Sequence, residues 1–399
     1  LEEYGYDALD VDAGTYDAWW WNHPPMYMEK APYRKFAKIV RDNVNIPVLM
    51  AGRVDNPDTA LECVEDGICD IVSLGRPLLA DPDIVTKIRT EKLDRVRPCI
   101  SCQEGCMGRI QEYSMINCAV NPQAARERVT ALTPAVKKKK VLVVGGGPAG
   151  CEAARVLAER GHEPVLYESG SRLGGNLIPG GAPSFKEDDL LLAKWYEDEL
   201  KRLHVDVHLN SPADAQLIRD GGFDSVIVAT GSRPKLFPLG DDNRVYAAEQ
   251  VLLGEKDPGD TVVVVGAGLV GCELALDLAM KGRNVTIVEA LPKIMAVNGP
   301  LCSANRDMLE RLIPFNGIDV RCGAKVTGYR DGILTAEIDG TEESIPADSV
   351  VLCVGYRSEN SLYHEVKDET DEIYVLGDAK NVSNIMYAIW DAFEVASHI

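Results

Sequence analysis

No stretch of the 399 residues approaches the roughly 18 consecutive apolar positions of a membrane helix, so no spanning segment of that kind is expected. Positive charge is also short. Lys and Arg number 42 against 62 Asp and Glu, a formal net charge of -20. A polyanion surface would be a local patch working against a repulsive field, which sets nucleic acid aside as a partner. Eleven cysteines are too few to scaffold a chain this long with disulfides. No secretory leader precedes them, which points to a reducing cytoplasm. An initiator methionine is missing too: Leu1 falls inside what reads as a helix end leading into a strand, so further units are expected upstream. What is abundant is glycine, at 35 residues, within a 46% hydrophobic composition suited to large cores. At roughly 100 to 200 residues per domain, the length implies two to four domains.

Strand-like segments at 8–11, 46–50 and 70–74 alternate with amphipathic helical stretches at 32–43 and 57–66. This pitch predicts parallel β/α units of an α/β fold. Three units cannot close a barrel, so they read as the end of one. After Arg97 comes a cysteine-rich stretch to Cys118. The basic run Lys137 to Lys140 then reads as a solvated linker end before an apolar strand. Two similar nucleotide-fold openings follow, at Val141 and Val262, which suggests one domain inserted in another. The expected division is 1–95 for the barrel end, 96–136 for the cysteine segment, 137–260 and 346–399 for an outer nucleotide domain, and 261–345 for an inner one.

The segment Val141-Leu-Val-Val-Gly145-Gly-Gly147-Pro-Ala-Gly150 is a strand followed by G-x-G-x-x-G and an Ala-rich helix. Gly145 permits the tight turn, Gly147 lets backbone approach a pyrophosphate, and Gly150 lets helix and strand pack closely. The helix N-terminus adds N–H groups and a positive dipole. Glu168, at the end of the next strand, can accept hydrogen bonds from ribose hydroxyls. The second copy, Thr261-Val-Val-Val-Val-Gly266-Ala-Gly268-Leu-Val-Gly271, is followed by a strand ending in Glu289. An acid there repels a 2′-phosphate and favours NADH over NADPH, although Arg283 and Lys293 lie near in sequence. No C-x-x-C or C-x4-C dithiol accompanies these motifs, which argues against a thiol relay.

Four cysteines cluster instead, as Cys99-x2-Cys102-x3-Cys106-x11-Cys118. Four thiolates in twenty residues match either zinc or a [4Fe-4S] cluster. Structural zinc more often uses two separated C-x2-C knuckles, so the spacing favours the cluster. The other seven cysteines read as buried apolar thiols.

Two dinucleotide folds in series resemble the flavoprotein reductases whose first fold holds FAD and second NAD(P)H. Leu173-Gly174-Gly175, Ala229-Thr230-Gly231 and Leu376-Gly377-Asp378 support the resemblance, which puts Asp378 on the flavin ribityl chain. The whole order, β/α units, cysteine segment and two dinucleotide folds, resembles the 2-enoate reductase and 2,4-dienoyl-CoA reductase group of NADH:flavin oxidoreductases. That resemblance implies the end of an FMN-binding TIM barrel, with Gly52, Arg53, Gly75 and Arg76 on the FMN phosphate, a site that barrel loops after late strands also suit on physical grounds. It further implies a [4Fe-4S] cluster on the four cysteines and His23 as hydrogen-bond donor to a substrate carbonyl or carboxylate. The aromatic stretch Tyr16-Asp-Ala-Trp-Trp-Trp-Asn-His23 looks closer to the enoate reductases. The implied activity is NADH-dependent reduction of the C=C bond of an unsaturated acid, thioester or enone, with electrons passing from NADH through FAD and the cluster to FMN; a homo-oligomer is compatible with it. A trimethylamine dehydrogenase-like amine oxidoreductase and an FAD/NADH electron-transfer subunit remain as alternatives.

Overall fold

The computed structural model describes every residue except 241, 242, 298 and 300. At the start, β1 (Leu9–Val11), β2 (Val48–Met50) and β3 (Ile71–Val72) form a three-stranded parallel sheet in the order β1-β2-β3. Val11, Tyr33, Ala37, Val48, Met50 and Cys63 pack into its core. The helix Arg34–Arg41 covers it with Ala37 and with half-buried Phe36 and Val40, a one-sided apolar stripe. The helix Pro57–Glu65 starts where its chemistry dictates: Asn56 accepts from Thr59 N–H at 2.8 Å and proline occupies the first turn.

The remainder holds two nucleotide folds. In chain order the strands are β4 (Lys140–Val144), β5 (Glu163–Tyr167), β6 (Asp206–His208), β7 (Ser225–Val228), β8 (Ser232–Pro234), β9 (Val245–Ala247), β10 (Thr261–Val265), β11 (Asn284–Glu289) and β12 (Asp319–Cys322). They continue with β13 (Ala324–Arg330), β14 (Ile333–Ile338), β15 (Thr341–Pro346), β16 (Ser349–Leu352), β17 (Tyr356–Ser358) and β18 (Ile373–Val375). The outer sheet runs β18-β7-β4-β5-β6 and the inner one β12-β11-β10-β16-β9, every pairing parallel. Both central strands, Val141 to Val144 and Val262 to Val265, are buried along their length because helices or sheet cover both faces. The antiparallel meander β13-β14-β15 covers the inner sheet through Tyr329, Leu334, Ala336 and Ile345.

These pairings correct the expected division at two places. Val245–Ala247, placed in the outer domain, pairs with β16 in the inner sheet, and Ser349–Leu352, placed in the closing outer segment, pairs with β10. The crossovers are instead β8 and β17, which pair antiparallel as a two-stranded ribbon between the domains. The 204–230 stretch carries two short strands and the helix Ala215–Asp220.

Candidate functional site

The two nucleotide turns repeat one set of contacts. Gly145 N–H donates to Tyr167 O at 2.8 Å, and Gly266 N–H to Val288 O at 2.8 Å. Glu168 accepts from Gly146 N–H at 2.6 Å and Gly170 N–H at 2.5 Å. Glu289 accepts from Ala267 N–H at 2.6 Å and Leu291 N–H at 2.7 Å. Each acid is thus fixed at its strand end beside the glycine turn, with lone pairs left for further donors. A Cβ on Gly150 would lie 1.9 Å from Gly145 O, and one on Gly271 2.0 Å from Gly266 O, so only glycine fits either position. Gly147 and Gly268 stand as the extended caps of helices Pro148–Glu159 and Leu269–Met280. Arg283, which could have offset the repulsion of a 2′-phosphate by Glu289, lies at the opposite end of β11 and pairs with Asp260 at 2.5 Å.

Other flavin-motif residues converge on the first turn. Gly174 N–H donates to Gly146 O at 2.8 Å, and a Cβ on Gly175 would approach Gly147 Cα to 2.9 Å. A Cβ on Gly377 would stand 3.0 Å from Ala149 Cβ, which brings Gly377 and Asp378 beside the same helix start. Asp378 accepts from Ser232 Oγ at 2.9 Å and Ser383 N–H at 3.0 Å. Thr230 donates to Glu359 O, while Glu359 N–H donates to Gly231 O at 2.9 Å, so this pair tethers the two crossover segments.

A cavity of about 300 Å³ opens between the barrel loops and the cysteine segment. His23, Gly52, Arg53, Gly75 and Arg76 line it from one side, and Cys99, Ser101 and Cys106 from the other. Among the described residues, no acceptor meets the N–H groups of Gly52, Arg53, Gly75 or Arg76, which leaves four donors at a site that phosphate would suit. The Arg53 side chain departs from the phosphate role. Its guanidinium is buried, donates to Met26 O at 2.8 Å and to Met28 O, and meets Asp188 at 3.0 Å. It therefore offers the cavity its backbone, while Arg76 retains a buried Nη1 without a partner. His23 packs edge-on against Trp19 at 4.8 Å between ring centroids. Burial and then Arg76 pull its pKa below the usual histidine value, against a smaller opposing effect of Asp12.

Cys99, Cys102, Cys106 and Cys118 all line a second, much smaller cavity that shares Arg76, Leu79, Cys99 and Cys106 with the first. The segment bends around it with left-handed Ser101 and Gln103 and a π-type turn over Glu104–Gly108. A Cβ on Gly105 would lie 2.8 Å from Ala119 N, so the loop closes against the returning strand of chain. Burial pushes the Cys99 thiol up to about 12 and Cys118 up to about 11, and raises Cys102 and Cys106. Thiolates here need a compensating positive centre, which a bound metal cluster would supply. Among the described residues, no three His, Cys, Asp or Glu side chains converge as one metal ion would require; a four-cornered cluster spans wider than a single ion.

Sequence reasoning missed several neighbours of this centre. Cys302, read only as a buried thiol, donates to Gln103 Oε1 at 3.7 Å, and Gln103 Nε2 donates to His23 O at 2.9 Å. Gln111 accepts from Ser303 N–H at 3.0 Å and so caps the helix Ser303–Phe315 of the inner domain. Behind the cavity, Lys30 and Arg53 meet Asp188, and Lys186 and Tyr27 both donate to Glu273 at 2.9 Å. Barrel end, outer domain and inner domain are thereby joined by buried charge.

A family model described as pyridine nucleotide-disulphide oxidoreductase matches residues 139–392. The chain belongs to that family. A second model, NADH:flavin oxidoreductase / NADH oxidase family, matches residues 2–94. The two matches follow one another in the order that the enoate reductase-like group of NADH:flavin oxidoreductases would give, and the chain is similar to members of that group. It is 49% identical over 395 residues to cinnamate reductase of Clostridium sporogenes, covering 99% of this chain and 59% of that protein. With NADH oxidase of Thermoanaerobacter brockii it shares 38% identity over 100% of this chain and 62% of the relative. The solved 2-naphthoyl-CoA reductase complex superposes with a TM-score of 0.92 at 26% identity, over 99% of this chain and 60% of the other. The chain thus spans about three fifths of the length of the proteins it matches. No helix among the described residues is long and apolar enough to cross a membrane.

Proposed function

We propose that the chain belongs to an NADH-dependent reductase of the C=C bond of a conjugated unsaturated acid or thioester. The observation that carries this reading is the common wall of the two cavities: Arg76, Leu79, Cys99 and Cys106 face both the cavity of the barrel loops and that of the four thiols. NADH, FAD, a [4Fe-4S] cluster and FMN, when bound, would supply electrons to the double bond in that order.

The chain's own residues have assignable tasks around that chemistry. The free N–H groups at Gly52, Arg53, Gly75 and Arg76 would hold the FMN phosphate. Gly145, Gly147, Gly150 and Glu168, with Gly174, Gly175 and Asp378, would hold FAD, and Gly266, Gly268, Gly271 and Glu289 NADH. With its pKa lowered, His23 is neutral at pH 7 and would donate one ring N–H to the substrate's carbonyl oxygen, where negative charge develops. The named substrates of the relatives, cinnamate and 2-naphthoyl-CoA, both join an aromatic system to a carboxyl or thioester.

The test is anaerobic NADH-driven reduction of cinnamate by the complete protein and its His23→Ala variant. Enoate turnover should fall about 100-fold, the loss of one positioned donor, while NADH-driven reduction of an artificial dye stays intact. Equal loss of both activities, or no turnover of any conjugated acid or thioester by the parent protein, overturns the reading.

A further inference from the structure

Two residues in the wall of the larger cavity carry a buried polar atom without a partner in the protein. On the barrel side it is Arg76 Nη1. On the cysteine segment it is Ser101 Oγ, of a residue only 1% exposed. An unsatisfied buried polar group opposes folding, and native proteins keep few of them without a ligand or water to complete them. Ser101 also holds a left-handed backbone, φ 51°, which a residue other than glycine adopts at some strain. Strain and an orphaned hydroxyl on one residue, between two cysteines of the cluster motif, indicate that the hydroxyl is held for something in the cavity.

We propose that Ser101 is a flavin-binding residue supplied by the cluster loop, so that FMN and the iron–sulfur cluster bind cooperatively. The proposal rests on the FMN and cluster assignments above. The same four residues carry Cys99 and Cys102, which line the thiol cavity, and Ser101, which lines the larger one. Iron on the cysteines fixes this loop, and a fixed loop presents the Ser101 hydroxyl to an oxygen or nitrogen of FMN without a further ordering cost. Linkage makes the effect reciprocal: whatever the cluster adds to FMN affinity, FMN adds to cluster retention. Arg76 reinforces the coupling, because its side chain lines both cavities.

The test uses the complete protein, purified anaerobically, with FMN affinity measured by recovery of quenched flavin fluorescence and iron measured in the same samples. Two variants remove the hydroxyl with opposite effects on the backbone: Ser101→Ala keeps the strain at positive φ, and Ser101→Gly relieves it. Both should weaken FMN binding about tenfold, the loss of one buried hydrogen bond, with FAD content unchanged. With FMN present both should lose iron to a chelator faster than the parent, and with FMN absent at the parent's rate. Stripping iron from the parent protein should weaken FMN by a similar factor. Unchanged FMN affinity in both variants overturns the role of Ser101, and unchanged affinity after iron removal overturns the cooperativity. A parent protein that contains no FMN overturns the functional reading itself, and this inference with it; that result is told apart from the others by flavin content before any variant is made.

Discussion

Two adjacent aspartates should respond in opposite ways to the same substitution. Where the three domains meet, the cations Lys30, Arg53 and Lys186 face the carboxylates Asp55, Asp188, Asp189 and Glu273, all with side chains at most 16% exposed. Three positive charges cannot balance four negative ones, so at least one acid should keep its proton to a higher pH than usual. Burial pushes Asp189 up to about 6 from its ordinary 3.8, with Lys186 opposing and Glu273 and Asp188 adding to the rise. Because the folded-state pKa is raised, its contribution is complete below about pH 4 and is lost as pH rises through about 6. A rise from 3.8 to about 6 corresponds to about 3 kcal/mol. Asp189→Asn imitates the protonated acid. It should be close to neutral at pH 4 and stabilise the junction by about 2–3 kcal/mol at pH 8. Asp188→Asn strips the anion from Lys30 at 2.7 Å and Arg53 at 3.0 Å, and should destabilise by about 3–5 kcal/mol at pH 8. Whole-chain melting of several domains is not one transition, so the assay is amide hydrogen exchange in the helix Glu187–Arg202, which reports local opening. Effects of the same sign for both variants, or an Asp189→Asn effect independent of pH, would refute the charge count.

Gly271→Ala puts a methyl 2.0 Å from Gly266 O and should abolish NADH reduction of the flavin while FAD content stays at parent level; FAD loss measured by acid release would show that the two folds are not independent sites. Cys118→Ser should strip iron from the protein, whereas Cys302→Ser, which removes only a thiol donating to Gln103, should leave iron content unchanged. Colorimetric iron analysis of the two variants separates ligand from neighbour, and equal loss from both would make Cys302 part of the metal site.

Those parts of the site that depend on backbone geometry were legible in the sequence. The glycines of both turns are there because a Cβ would strike a carbonyl, and that requirement leaves a spaced pattern any reader can find. The acids Glu168 and Glu289 were legible for the same reason, being fixed at strand ends two residues before the amides they bind. Contacts between distant segments left no such trace. Asp188 and Asp189 stand in the acidic first turn of a helix, where nothing in the spacing marks burial, and their buried cations lie on Lys186 and, far upstream, on Lys30 and Arg53. Its loop puts Arg53 in the wall of the larger cavity, but its side chain answers to Asp188 across 135 residues. The three-residue strand Val245–Ala247 is too short to show a period, and Ser349–Leu352 is apolar on both faces like any buried parallel strand, so neither betrayed which sheet it joins. Ser101 was passed over because a serine between two cysteines has no pattern of its own; only its burial and its orphaned oxygen single it out.

The central claim is that one polypeptide places an FMN cavity, a four-cysteine metal site and an FAD fold in sequence. Acid release of flavins from the complete, anaerobically purified protein, with iron measured on the same sample, tests it most directly. The account predicts FMN and FAD in near-equal amounts and about four irons per chain. FAD alone with little or no iron would contradict it.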